Sequence, residues 1–191
     1  MMSCPTCGTD SMLETVLLEE SGLHVEACSR CEGLWIPAGA YNRWLEQQAA
    51  APASTSGGPH HVHLEMKDGP FLRRCPTCAY ILGRYRVGPD VPFTIDRCHN
   101  CGGIWLDAHE WDVLKAARLH ERLHAIFTSK WQQDVRRREA DEKEEAWRRR
   151  VLGEDGYERL VAFEAWARLQ PNRHVIFEIL AESLGSGQSS G

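Results

Sequence analysis

The chain has 191 residues, which is length for one or two domains, and its formal net charge of −5 argues against non-specific nucleic-acid binding by the molecule as a whole. No run of about 18 apolar residues is present, and the chain does not open on a charged segment followed by an apolar one, so neither a membrane span nor a signal peptide is expected. Its eight cysteines all fall in Cys-x-x-Cys pairs, a usage that fits a reducing cytosol and a cytoplasmic protein better than a disulfide framework.

The first pair is Cys4-Pro5-Thr6-Cys7, followed after 20 residues by Cys28-Ser29-Arg30-Cys31. The arrangement then repeats as Cys75-Pro76-Thr77-Cys78, 19 residues, and Cys98-His99-Asn100-Cys101. Two such pairs at that separation are the pattern of a Zn(Cys)4 ribbon, and no cysteine is left over. The expected cofactors are two Zn²⁺, on Cys4, Cys7, Cys28 and Cys31 and on Cys75, Cys78, Cys98 and Cys101. Ribbons of about 40 residues bury little core, so a metal is the expected staple. With each Zn²⁺ held by four thiolates, the loaded chain carries about −9.

Residues 1–45 read as the first ribbon. Gly8 suits the left-handed turn that closes a knuckle. Met12 to Leu18 and Leu23 to Ala27 read as strands around Glu20-Ser21-Gly22, and Glu32 to Ile36 as a third. Ala38 to Gln48 reads as a helix with Tyr41, Trp44 and Leu45 on one side. Residues 1–36 hold six acidic residues against Arg30 alone, so phosphate binding is not expected there. Residues 46–70 are rich in Ala, Pro, Ser, Thr and Gly and read as a flexible linker. His60, His61 and His63 in it are expected to be solvated rather than metal-binding, because the repeat already supplies two complete sites.

Residues 71–115 read as the second ribbon. Ala79 stands where the first ribbon has Gly8. Tyr80 to Val87 and Val91 to Arg97 read as a hairpin, with Arg84 and Arg86 on one face and Tyr85 and Val87 on the other. Arg73, Arg74, Arg84, Arg86 and Arg97 outnumber Asp90, Asp96 and Asp107, so nucleic acid is expected here if anywhere. Trp105 matches Trp35 of the first repeat; both read as core residues of a small domain or as partner anchors. Asp107 and Glu110 form a D-x-x-E capping box at the start of a helix carrying Trp111 and Leu114. The first repeat has Pro37 and Ala40 there.

The motifs CPTC…CHNCGGIWLDAHE and CPTCG…CSRCEGLWIPAGA resemble the transcription factor IIB-type zinc ribbon (zinc-finger) domain family, with its C-P-x-C…C-x-x-C-G-G-x-W-L-D-x-x-E pattern. The resemblance covers about 1–45 and 71–115. It implies a small zinc-stabilised α+β architecture: two tandem three-stranded antiparallel ribbons, each followed by a helix, with zinc on the eight cysteines. It also suggests a link to transcription, although one fold serves many functions. Glu32 replaces the first Gly of the Gly-Gly pair, and the first repeat lacks D-x-x-E.

Residues 116–184 read as a C-terminal helical tail. The helix from Ala108 is expected to run through Leu119, Leu123, Ile126 and Phe127 towards Trp131. Asp134 to Arg150 reads as a solvated helix laced with i,i+4 ion pairs, broken at Gly153 to Gly156. Two further helices, Tyr157 to Leu169 and Asn172 to Leu184, carry apolar positions, and residues 185–191 read as a disordered end. A closed Cys4 site has no open coordination position, and no nucleophile–base constellation is visible, so an enzyme is the least supported reading. The first expectation is a non-enzymatic protein-interaction or adaptor module with a protein partner. The alternative is a nucleic-acid-associated transcriptional regulator using the five arginines above. No membrane partner or small-molecule substrate is expected.

Overall fold

A computed structural model describes residues 2–18, 21–50, 72–89 and 91–185. His60, His61 and His63, with the tether reading for 51–70, lie outside them, as do Glu20 and Asp90 of the two hairpin turns. The chain divides into two compact units, Met1–Arg138 and Glu139–Gly191, so the division falls inside the segment expected to be a single tail.

In the first unit the strands are β1 (Ser3–Cys4), β2 (Gly8–Leu18), β3 (Leu23–Cys28), β4 (Leu34–Ile36), β5 (Gly83–Gly88), β6 (Val91–Arg97) and β7 (Ile104–Leu106). Each ribbon therefore forms the expected antiparallel meander. The ribbons are not separate platforms, however: they join edge to edge in one sheet of order β1-β2-β3-β4-β7-β6-β5. The seam is the antiparallel pair β4–β7, in register Leu34↔Leu106, Trp35↔Trp105 and Ile36↔Ile104. The two repeats are thus related by an approximate twofold axis through the tryptophan pair.

Alternation along the seam strands sends their side chains to two different cores. Ile36, Ile104 and Leu106 join Leu23, Val25, Phe93 and Ile95 in the larger core. That core also takes Tyr41 and Trp44 from α1 (Ala38–Ala50) and Trp111 and Leu114 from α2 (Glu110–Ala116). Trp35 and Trp105 point the other way and share a cluster with Cys4, Cys28, Cys75 and Cys98. Both indoles are 0% exposed. Each removes about 200 Å² from water, worth about 5 kcal/mol as an upper bound.

This burial overturns the reading of Trp35 and Trp105 as partner anchors. A ribbon alone would leave its tryptophan half-covered; here the partner repeat supplies the cover. The fit is reciprocal. A Cβ on Gly33 would sit 2.2 Å from the Trp105 ring, and one on Gly103 would sit 2.2 Å from the Trp35 ring. The second glycine of each Gly-Gly pair, Gly33 or Gly103, is therefore required by the other repeat's indole, not by its own backbone.

Above the helix side, Trp44 and Trp111 meet edge to face at 5.8 Å, and Trp111 meets His120 likewise at 5.7 Å. The Tyr41 hydroxyl donates to the His120 carbonyl at 2.7 Å and accepts from the Leu123 amide at 3.1 Å. Burial pushes that phenol up to about 12, so it keeps its proton.

The helix expected to run unbroken from Ala108 to Trp131 is instead broken. α2 ends in a Schellman motif, with bonds from Leu119 N–H to the Leu114 carbonyl and from Arg118 N–H to Lys115. Arg118 takes the left-handed position at φ 56° that glycine usually fills, so the sequence carries no stop signal. A 3-10 turn (His120–Arg122) and α3 (Leu123–Ile126) then fold Leu123, Ile126 and Phe127 onto the core. α4 (Ser129–Arg168) follows. α1 also extends over Glu46–Ala50, the first residues of the expected linker.

In the second unit α4 changes direction at Gly153 (φ 69°, ψ 168°), within the expected break. Arg148 and Glu164 pair at 3.6 Å across that break, and the expected ladder includes Glu144–Arg148 at 2.6 Å and Glu145–Arg149 at 2.9 Å. α5 (Arg173–Gly185) is the last element described, so Gly185 is helical, while 186–191, the rest of the expected disordered end, lie outside the described residues. Among the described residues of this unit only Ala167 is buried, while Trp147, Trp166, Leu169 and Ile179 stay exposed.

Gly103→Ala should destabilise the first unit by about 3 kcal/mol, read as a lower thermal midpoint. Because the indole it meets is Trp35 of the first repeat, Trp35→Phe should cost less stability in the Gly103→Ala background than in the native one, measured as a double-mutant cycle of thermal midpoints.

Candidate metal centres

The sequence brings each pair of knuckles together by the same local geometry. Gly8 (φ 71°) and Ala79 (φ 60°) both turn left-handed after the first Cys-x-x-Cys, and Glu32 (φ 58°) and Gly102 (φ 75°) after the second. Ala79 and Glu32 thus keep the backbone of the glycines they replace, at a strain of about 1 kcal/mol each. Matching amide bonds close the turns: Glu32 N–H to the Cys28 carbonyl and Gly102 N–H to the Cys98 carbonyl, both 2.9 Å.

The result is two clusters, Cys4–Cys7–Cys28–Cys31 and Cys75–Cys78–Cys98–Cys101, each with all four sulfurs within 4.8 Å of one another. The edges include 3.6 Å for Cys4–Cys31, 4.0 Å for Cys7–Cys28, 3.5 Å for Cys75–Cys101 and 3.4 Å for Cys78–Cys98. A Zn–S bond of about 2.3 Å in a tetrahedron requires edges of about 3.8 Å. The donor set and its spacing therefore fit one zinc ion per cluster, fully coordinated by protein.

Second contacts polarise the sulfurs. The Cys7 amide donates to the Cys4 sulfur at 3.3 Å, and the Thr77 amide to Cys75 at 3.4 Å. Ser11 Oγ lies 3.0 Å from the Cys28 sulfur. Burial works against ionisation of Cys28, but Ser11 and the Cys31 and Arg30 amides pull its thiol down to about 6. The Asn100 side chain pulls Cys78 down to about 6 as well. Burial pushes Cys4 up to about 11 and raises Cys31, Cys75 and Cys101. Cys28 and Cys78 are thus the sulfurs whose surroundings most favour the thiolate a metal requires.

The five arginines are distributed very differently from an exposed basic face. Arg73 is 4% exposed and binds Asp96 and Asp107, both at 2.8 Å. Arg84 adds a 3.4 Å contact to Asp96. Arg97 stacks on Phe127 at 4.9 Å, with its Nε buried. Arg74 donates to the Ala79 carbonyl at 3.3 Å, and the Arg86 backbone is bonded to Gln132. The second ribbon spends Arg73, Arg84 and Arg97 on its own interior and aromatic packing.

Asp107 is the residue whose role sequence reasoning missed. Its carboxylate accepts from Arg73, from the Trp105 indole at 3.1 Å and from Thr6 of the first knuckle at 3.4 Å. It does not cap α2, whose N-cap is His109. The other half of the box is present: Glu110 accepts from the Asp107 amide at 2.9 Å. Glu110 is 3% exposed, and burial pushes its carboxyl up to about 9, so it is protonated at neutral pH. In the first repeat Met2, Glu26 and Pro37 occupy the positions of Arg73, Asp96 and Asp107, and among the described residues the buried Trp35 indole N–H has no partner. That orphan costs about 1–3 kcal/mol, less than the burial of the ring returns.

Residues 3–47 and 74–117 both match the family model for the transcription factor zinc-finger, the TFIIB-type zinc ribbon. With the geometry above, the chain carries two tandem copies of that ribbon, each able to hold a zinc ion. Comparison with curated proteins and with solved structures found no match. Among the described residues no helix is long and apolar enough to cross a membrane.

Elemental analysis should give two zinc ions per chain, and Cys98→Ser should leave one with a lower thermal midpoint. A folded-state pKa raised above the unfolded value means that Glu110 costs nothing at acidic pH and progressively more as pH rises towards 9. Glu110→Gln should therefore melt above the native protein, by a margin that widens from pH 6 to pH 9. An unchanged margin would show that Glu110 is ionised in the folded state.

Proposed function

We propose that the protein is a non-enzymatic interaction module, an adaptor that presents zinc-stapled surfaces to a protein partner. The observation that carries this reading is the internal use of Arg73, Arg84 and Arg97, which removes most of the basic face a nucleic-acid-binding ribbon would need. The acidity of the first ribbon points the same way, since carboxylates repel phosphate. Two four-thiolate sites fit structural zinc, with no coordination position left for substrate or water. The exposed apolar residues of the second unit supply further surface for a protein partner.

The alternative, a transcription-linked regulator that contacts nucleic acid through the second ribbon, is supported by the family of the two ribbons. Arg74 and Arg86 are its exposed candidates. Titration of zinc-loaded protein against short single- and double-stranded nucleic acids separates the two. The adaptor reading expects no binding even at low salt. Binding that weakens steeply with salt and is lost in Arg74→Ala/Arg86→Ala would establish the regulator instead.

A further inference from the structure

We propose that the outer edge of β2, at Thr15 and Leu17, is a docking site that takes an extended, basic segment of a partner protein as an added strand. The proposal rests on the adaptor reading and locates its contact surface.

Backbone direction comes first. The Leu13 amide donates to the Met2 carbonyl at 2.8 Å, on the side of β2 away from β3. Strand alternation then turns the N–H and C=O of Thr15 and Leu17 to the same side. β1 ends at Cys4, and among the described residues nothing pairs with this half of β2 there.

The approximate twofold axis shows what such an edge receives. Leu13 faces Cys28, and Gly83 faces Arg97, so Leu82 takes the place of Leu13 and Arg86 that of Leu17. In the second ribbon the edge is sealed from within. The Arg86 amide donates to Gln132 Oε1 at 3.2 Å, and Gln132 Nε2 donates back to the Arg86 carbonyl at 2.8 Å. One side-chain amide thereby reproduces the two bonds of a neighbouring strand. Phe127 packs on Tyr85 at 5.0 Å, and Trp131 bonds the Val87 carbonyl at 2.9 Å. At the matching places in the first ribbon, Val16 and Leu17 are 40% and 46% exposed.

Charge selects the occupant. Glu14 is exposed on the strand; Asp10, four residues earlier on β2, pairs with Arg30 at 3.7 Å, and Glu26, opposite on β3, accepts from Thr15 Oγ1 at 3.1 Å, so Glu14 is the carboxylate left to a basic segment. Arg30 is the sole lysine or arginine among residues 1–36. A segment alternating lysine or arginine with small apolar residues satisfies the backbone bonds, the Glu14 carboxylate and the exposed Val16 and Leu17 together. Acidic or phosphorylated segments are repelled.

The probe is a fluorescent octapeptide of alternating lysine and valine, titrated into full-length zinc-loaded protein and followed by anisotropy. Saturable one-to-one binding that weakens with salt is expected. Leu17→Pro deletes an outward N–H without removing a bond to β3, and should weaken binding about tenfold or more while the chain keeps two zinc ions. Glu14→Lys, which leaves the backbone alone, should weaken it severalfold and favour a glutamate–valine octapeptide. Undiminished binding by both variants would overturn the edge proposal and leave the adaptor reading standing. So would binding that appears only when residues 51–70 are replaced by a glycine–serine spacer, which would make the chain its own occupant. A concentration-dependent dimer, abolished by Leu17→Pro and indifferent to peptide, would assign the edge to a second copy. Failure of the adaptor reading is read separately, in the nucleic-acid titration.

Discussion

The pairing of Leu34–Ile36 with Ile104–Leu106 is the constraint on which the rest of this molecule depends. Beside the two-residue β1, each ribbon has three strands and one buried face at most. Joined at β4–β7, the two ribbons cover both faces of each other's third strand. One face becomes the helix-side core, and the other a wall in which two indoles lie between two cysteine clusters. The indole of each repeat rests on the glycine backbone of the other, so neither repeat is complete alone. The zinc ions are left with a bounded role, fixing the knuckles while the seam holds the halves together.

The approximate symmetry is broken where polar groups are buried. In the second repeat Arg73, Asp96, Asp107 and Glu110 bond with one another and with the Trp105 indole, although Arg73 Nε stays buried without a partner among the described residues. A network of this kind is stable only when all its members are present, because each leaves a buried charge or donor behind when lost. The first repeat has replaced the set with Met2, Glu26 and Pro37 and leaves one indole N–H unmatched. Its own first knuckle is held from the other side, by the bond from Thr6 to Asp107. The outer edge of the second repeat is thus bonded by Gln132 and Trp131, while among the described residues the first leaves the outer edge of β2 unpaired at Thr15 and Leu17 and keeps an acidic surface.

Much of this was legible in the sequence, and the rest was not for identifiable reasons. Cysteine spacing is a direct readout of metal geometry, so the two sites could be drawn before any fold. The hairpins followed from alternation and from Gly22 and Gly88 at their ends. The seam left no trace, because two copies of one pattern look the same whether they pair or stand apart. That blindness also left Trp35 and Trp105 open between core residues and partner anchors, because their cover comes from about 70 residues away in sequence. Arg73 read as a surface cation because its two acidic partners lie 23 and 34 residues on. The D-x-x-E signal was seen, but only its Glu110 half acts as a capping box does. The stop after α2 was hidden because Arg118 occupies a left-handed position without being glycine.

The reciprocal indole-on-glycine joint has one more consequence, for how tightly the halves must bind. Were the repeats separate chains, the joint would need strong intrinsic affinity to persist at cellular concentrations. Carried on one polypeptide, the second half meets the first at an effective concentration in the millimolar range. A joint of only modest strength is then kept closed. Tethering of this kind relaxes the demand on each half to be perfect, and it makes a first repeat with an orphaned indole and no charged network tolerable. It also means that a cut between the repeats would leave every zinc ligand in place and still set the two halves free to part on dilution.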